Sequence, residues 1–173
     1  MTAPVGSINA VSLDAVRRAA QDVLDPEVPV LTLGDLGIVR DVRPDGEGVV
    51  VDLTPTYSGC PATEVIAACV VRAVERLGSR ARVRTVLSPA WTTDWMSSEG
   101  RAKLERYGIA PPSGRAPVRG PVPVTIARAA PEPHCPRCGS PRTEELSRFG
   151  ATACQSLWRC TACAEPFSHF KAI

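Results

Sequence analysis

Apolar positions along the first half of the chain follow two periods, and each change of period marks an element. Leu13, Val16, Ala20, Val23 and Leu24 share one face at helical spacing behind Ser12, a residue suited to capping. Asp25-Pro26 is expected to stop this helix. Residues 37–42 and 48–53 read as strands, and Arg43-Pro44-Asp45-Gly46-Glu47 between them predicts a hairpin turn. Over residues 61–77 the period returns to that of a helix, with Ile66, Cys69, Val70, Ala73, Val74 and Leu77 on the apolar face and Glu64, Arg72, Glu75 and Arg76 turned away. Residues 82–87 predict a third strand ending at Ser88-Pro89, and residues 99–107 a short helix. The order helix, two strands, helix, strand, helix describes a small α/β domain.

Proline changes the picture after residue 107. Prolines 111, 112, 117, 121, 123, 131 and 133 prevent regular structure and favour a semi-stiff connector over residues 108–133. The chain thus divides into a domain at 1–107, a linker at 108–133 and a tail at 134–173, an α+β protein of two modules. A length of 173 residues suits that division better than one large core. Residues 1–110 carry 12 basic and 14 acidic side chains and residues 111–173 carry 8 and 4, so the tail is the basic part. The whole chain is only +2, too little to imply a nucleic-acid partner.

Candidate chemistry concentrates in the seven cysteines. Cys135-Pro136-Arg137-Cys138 and Cys160-Thr161-Ala162-Cys163 are two knuckles at the spacing with which two thiolate pairs enclose zinc. The tail has few large apolar side chains, among them Leu146, Phe149, Leu157, Trp158, Phe167 and Phe170, so metal is expected to supply much of its folding free energy. Iron or an iron–sulfur cluster is the alternative occupant of four thiolates. Cys154 and His134 lie near in sequence and are read as bystanders, because four cysteines complete the site; His169 is read as an ordinary packed or surface side chain.

A second centre is suggested by Thr56-Tyr57-Ser58-Gly59-Cys60-Pro61, which leads from a strand into the second helix. Pro61 suits the first helical position, which would make Cys60 the N-cap and favour its thiolate, as a nucleophile or a metal ligand. The competing reading is a buried capping cysteine, and Cys69 is read as core. Asp25, Glu27 and Asp35 lie in loops that could converge on Cys60, although acidic residues beside proline and glycine also make turns and caps.

Asp25-Pro26-Glu27, Asp35-Leu36-Gly37-Ile38-Val39 and Thr56-Tyr57-Ser58-Gly59-Cys60-Pro61 together resemble the metal–sulfur cluster biosynthesis family related to the SufT proteins, over about residues 12–107. The tail, from His134-Cys135-Pro136-Arg137-Cys138-Gly139 through Phe149-Gly150-Ala151-Thr152-Ala153-Cys154 to Glu165-Pro166-Phe167 and Phe170-Lys171, resembles the zinc-ribbon extension of its PaaD branch. The resemblance implies a SufT-like domain followed by a zinc ribbon. It also implies an accessory, non-catalytic role in the multicomponent oxygenase that epoxidises phenylacetyl-CoA in aerobic phenylacetate degradation. Carried onto this chain, the family's functional positions are Asp25, Glu27, Thr56 and Cys60, with Cys60 a ligand or transient carrier of iron or a cluster. Similar proteins often carry a further cysteine near the end, where this chain reads Lys171-Ala172-Ile173, so that position is not taken as an obligatory ligand.

These readings lead to a maturation factor delivering iron or iron–sulfur clusters to oxygenase or reductase components, with structural zinc in the tail. The alternatives are a bridging subunit, a nucleic-acid-binding ribbon using Arg137, Arg142, Arg148 and Arg159, a thiol enzyme, and, for assembly, a homodimer. No catalytic dyad, phosphate loop or dinucleotide fingerprint is apparent. The first twelve residues lack the pattern of a secretory signal and no stretch approaches a membrane span, so a cytoplasmic protein is expected.

Overall fold

The structure, a computed structural model, describes residues 11–46, 48–113 and 132–173. Outside these lie the first ten residues, which bear on a secretory signal, Glu47 of the turn, and the expected connector over 114–131 with its prolines 117, 121, 123 and 131.

Helix α1, Leu13–Gln21, buries Val16 and Ala20. It ends earlier than the Asp25-Pro26 stop implied. The backbone after it pairs with a later segment instead: Leu33 N–H donates to Val23 O, Asp25 N–H donates to Leu31 O, and Leu24 bridges Thr32. A one-turn helix α2, Leu33–Leu36, follows, where only a loop was expected. Thr32 and Asp35 form a capping box there, each side chain accepting from the other's backbone N–H. Gly37 closes the turn at φ 69°, and a Cβ there would lie 2.5 Å from the Trp95 carbonyl oxygen, so glycine is required.

Strands β1, Val39–Asp45, and β2, Gly48–Leu53, form the antiparallel hairpin. The strand continues through Arg43 and Pro44, which the sequence pattern assigns to the turn; β1 is an edge strand, where a missing N–H is tolerated. Helix α3, Thr63–Glu75, crosses to β3, Arg80–Thr85, which pairs parallel to β2 and starts two residues earlier than its alternation suggests. Cys69 does not join the core: it is half-buried and accepts from the Arg72 guanidinium at 3.2 Å. A 3-10 turn, Thr93–Trp95, leads to helix α4, Ser98–Tyr107, capped by Ser97.

Asp52 is the buried acid of the central strand. Arg43 and Arg84 flank it at 2.6 Å each and hold its carboxyl down at about 2. That stabilisation is complete above the ordinary value of 3.8 and is lost as pH falls towards 2. Both arginines are substantially exposed, so solvent screening reduces its worth. Asp52→Asn is expected to lower the unfolding free energy at pH 7 by about 1–2 kcal/mol, with a difference from the parent that shrinks on acidification, as read by denaturant titration at several pH values.

The tail forms a second sheet in the order β4-β7-β6-β5, from β4 (Ile109–Ala110), β5 (Thr143–Ser147), β6 (Gln155–Cys160) and β7 (Pro166–Phe170). β4 lies inside the segment expected as connector and pairs parallel to β7. The two modules also share a core. Cys154 and Phe170 belong to the same buried cluster as Val16, Leu36, Leu53 and Val70. Trp91 packs against Phe170 with ring centroids 6.2 Å apart, and Thr93 N–H donates to Ile173 O at 3.0 Å. No helix among the described residues is long and apolar enough to cross a membrane.

Candidate metal sites

The sulfurs of Cys135, Cys138, Cys160 and Cys163 all lie within 4.8 Å of one another. Cys135 and Cys163 are 3.8 Å apart and Cys138 and Cys160 3.6 Å. A tetrahedron with Zn–S bonds of about 2.3 Å has S–S edges of about 3.8 Å, whereas a disulfide would need about 2 Å, so the donor set fits zinc. The two knuckles turn alike, since the residue after the second cysteine of each, Gly139 and Ala164, has positive φ, 71° and 62°. Burial raises the Cys160 thiol, but the backbone N–H groups of Cys163 and Ala162 and the neighbouring sulfurs outweigh it and bring it down to about 6. Cys163 goes the other way, to about 12. Zinc therefore has to displace protons from the cluster, and its affinity falls as pH falls.

His134 is exposed and outside this cluster. His169 is buried between Ser113 and Ser156, with burial and then Lys171 lowering it to about 4. It is a packed, neutral side chain.

Around Cys60 the loops converge on a narrow pocket of about 30 Å³ whose lining includes Asp25, Glu27, Thr56, Cys60, Cys154 and Phe170. Asp25 Oδ1 accepts the N–H groups of Glu27 and Val28, both at 2.8 Å. This carboxylate therefore fixes the loop that presents Glu27. The Cys60 thiol donates to Glu27 Oε2 across 3.9 Å. Thr56 lines the same pocket from the strand-to-helix loop. Asp35, the third acid expected here, is used elsewhere: its carboxylate accepts from Thr32, Ser97 and Lys103, the last at 2.7 Å, and stays below its ordinary value despite burial.

Cys60 does not cap the helix. Thr63 N–H donates to Cys60 O at 3.2 Å, so residues 60–63 make a turn with Pro61 in its second position, and Ala62 is the N-cap. The net effect on the thiol is upward. Burial raises it, the Ala62 N–H offsets part of this, and the Glu27 and Asp25 carboxylates raise it further. Glu27 is raised as well, by burial and by Asp25, against the Cys60 hydrogen bond. Cys60 is therefore a thiol at neutral pH, with its hydrogen bond directed at Glu27.

Cys154, read from sequence as a bystander of the tail, lines this pocket too, and a second cavity of about 20 Å³ touches Glu27, Thr56, Cys60 and Cys154. Sequence spacing places Cys154 beside the knuckles. The one available signal is that a complete four-cysteine site leaves a further soft ligand without a task.

Two family models match the chain. Residues 13–87 match the model of an iron–sulfur cluster assembly protein family, and residues 119–171 that of the PaaD zinc beta ribbon domain. A curated relative from Escherichia coli (strain K12), named as the putative D component of 1,2-phenylacetyl-CoA epoxidase, is 49% identical over 150 residues, 86% of either chain. Among solved structures, a domain of unknown function DUF59 from Bacillus anthracis is 26% identical with a TM-score of 0.49, covering 53% of this chain and 90% of that one. A conserved hypothetical protein from Thermotoga maritima is 30% identical with a TM-score of 0.46, covering 54% and 94%. With an assembly-type domain, a four-cysteine ribbon and that identity along nearly the whole length, the chain belongs to the PaaD family of phenylacetyl-CoA epoxidase components.

Proposed function

We propose that this protein is a non-catalytic accessory factor that carries iron, as an ion or within a cluster, to the oxygenase or reductase components of a phenylacetyl-CoA epoxidase system. The observation that carries the reading is the convergence of Cys60, Glu27, Asp25 and Thr56 on one small pocket. A thiol and a carboxylate in contact are ligands for a transition metal. Hydrolytic thiol chemistry is less well supported, because the groups beside Cys60 are acids that raise its thiol and no histidine lines the pocket among the described residues. Binding of nucleic acid by the ribbon also loses support, since Arg137 pairs with Glu165 and Arg159 with Glu144.

Metal analysis of protein purified without oxygen tests the reading. The parent is expected to hold zinc and substoichiometric iron, and Cys60→Ser to keep the zinc and lose the iron. Zinc alone in both proteins would favour a bridging subunit.

A further inference from the structure

The four cysteines of the ribbon are not equivalent. Cys135 and Cys160 are buried, 2% and 0% exposed. Their backbones are tied down, since Cys135 N–H donates to Ser140 O at 3.0 Å and Cys160 N–H donates to Glu165 O at 2.9 Å. Cys138 and Cys163, the second cysteine of each knuckle, are exposed. One side of the centre is therefore closed to solvent and the other faces it.

Sulfur contacts run between the knuckles. Cys138 Sγ lies 3.6 Å from Cys160 Sγ, and Cys163 Sγ lies 3.8 Å from Cys135 Sγ. Each exposed sulfur thus touches a buried one of the opposite knuckle, and a further approach to about 2 Å would make either pair a disulfide. Zinc holds cysteine as thiolate, which is also the form that oxidants attack, so these sulfurs are nucleophilic at a pH where ordinary thiols are protonated. Among thiolates of one cluster, exposure decides which are reached first.

We propose that the ribbon's centre is a site of reversible oxidation by hydroperoxides, in which Cys138 and Cys163 are attacked, Cys160 and Cys135 respectively resolve them, and zinc is released while two disulfides keep the knuckles joined. Cys138 Sγ attacks an oxygen of hydrogen peroxide: an S–O bond forms, the O–O bond breaks and hydroxide leaves. Cys160 Sγ then attacks the oxidised sulfur: the S–S bond forms, the S–O bond breaks and a second hydroxide leaves. The sulfur pair has lost two electrons, the peroxide has gained them, and both hydroxides take protons from solvent to become water. Cys163 and Cys135 repeat the sequence with a second peroxide, after which no thiolate is left to hold the metal. A dithiol reductant reverses both disulfides by thiol–disulfide exchange. The products differ from simple metal loss, because the two disulfides close the same contacts between knuckles that zinc closes and so restrain the unfolded ribbon. This inference goes beyond the carrier reading and is independent of it, since none of the four cysteines lines the Cys60 pocket.

The test uses hydrogen peroxide on zinc-loaded full-length protein, with and without dimedone, which traps sulfenic acid. Zinc release is followed with a chromophoric chelator too weak to strip the untreated protein, and the products are mapped by peptide mass spectrometry. Dimedone is expected on Cys138 and Cys163 and not on Cys135 or Cys160. Without dimedone, disulfides are expected between Cys138 and Cys160 and between Cys135 and Cys163, with about one zinc released for every two disulfides formed. The oxidised β5–β7 amides should keep much of the hydrogen-exchange protection that chelation of the reduced protein abolishes, and dithiothreitol with zinc should restore the starting state. Zinc retained while Cys60 or Cys69 is oxidised would overturn the inference. So would dimedone on the buried pair, disulfides formed within each knuckle, or amide protection no better than in the chelated protein. The iron content that tests the carrier reading is unaffected by any of these results.

Discussion

Removal of zinc is expected to unfold the ribbon and to open the Cys60 pocket with it. The buried residues around the metal are few: Ala110, Cys135, Cys160 and Phe167, with Trp158 packed on them. A core that small cannot offset the conformational entropy of some forty residues, at roughly 1–2 kcal/mol each for the backbone alone, so the metal supplies the difference. Structural zinc sites of this kind contribute on the order of 10 kcal/mol at neutral pH. The effect should not stop at the ribbon, because Phe170 and Cys154 are part of the first domain's core. Chelation, or Cys160→Ser, is therefore expected to abolish protection of β5–β7 amides from hydrogen exchange. It should also accelerate alkylation of Cys60, whose pocket loses one wall. Unchanged Cys60 reactivity after zinc removal would mean that the modules are independent.

The second large effect is expected at Phe170, which is 1% exposed, packs against Trp91 at a tilt and forms part of the pocket wall. Truncating a buried phenylalanine costs about 3–5 kcal/mol through lost burial and the cavity left behind. In a protein of this size, Phe170→Ala should lower the melting temperature by on the order of 10 °C. Because Phe170 is where ribbon and first domain meet, thermal unfolding should also change in form. The parent is expected to melt in one transition, and the variant to separate into two as the ribbon and the first domain uncouple. A shift below about 1 kcal/mol would place Phe170 outside the shared core.

The parts of this architecture that follow from local periodicity were legible in the sequence. The hairpin, the long helix α3 with Ile66, Val70 and Val74 inward, and α4 lie close to where their patterns place them. The four zinc ligands were legible because the knuckle spacing is itself the chemistry. Helix α2 was not, since a four-residue helix carries no period, and its evidence is a reciprocal cap between Thr32 and Asp35 that reads equally well as a turn. The position of Cys60 is ambiguous in sequence for a related reason. Pro61 has the same φ preference in the second position of a turn as in the first position of a helix, and only the Thr63-to-Cys60 hydrogen bond distinguishes them.

What depended on contacts between the ribbon and the first domain was not legible. The parallel pairing of Ile109–Ala110 with β7, and the seating of Phe170 in the first domain, join segments from about sixty to about a hundred and fifty residues apart. Cys154 belongs to this class. Its neighbours in sequence are the knuckles, yet it lines a cavity together with Glu27 and Cys60. Asp35 shows the converse, a carboxylate that sequence proximity offers to the Cys60 site and that Lys103 and Ser97 claim instead.

The most direct test of the account is the iron content of the epoxidase system's metal-bearing components, isolated from cells whose only copy of this protein is Cys60→Ser. The variant should accumulate, keep its zinc and leave those components iron-poor, with ring epoxidation reduced in proportion. Fully iron-loaded, active components in those cells would contradict it.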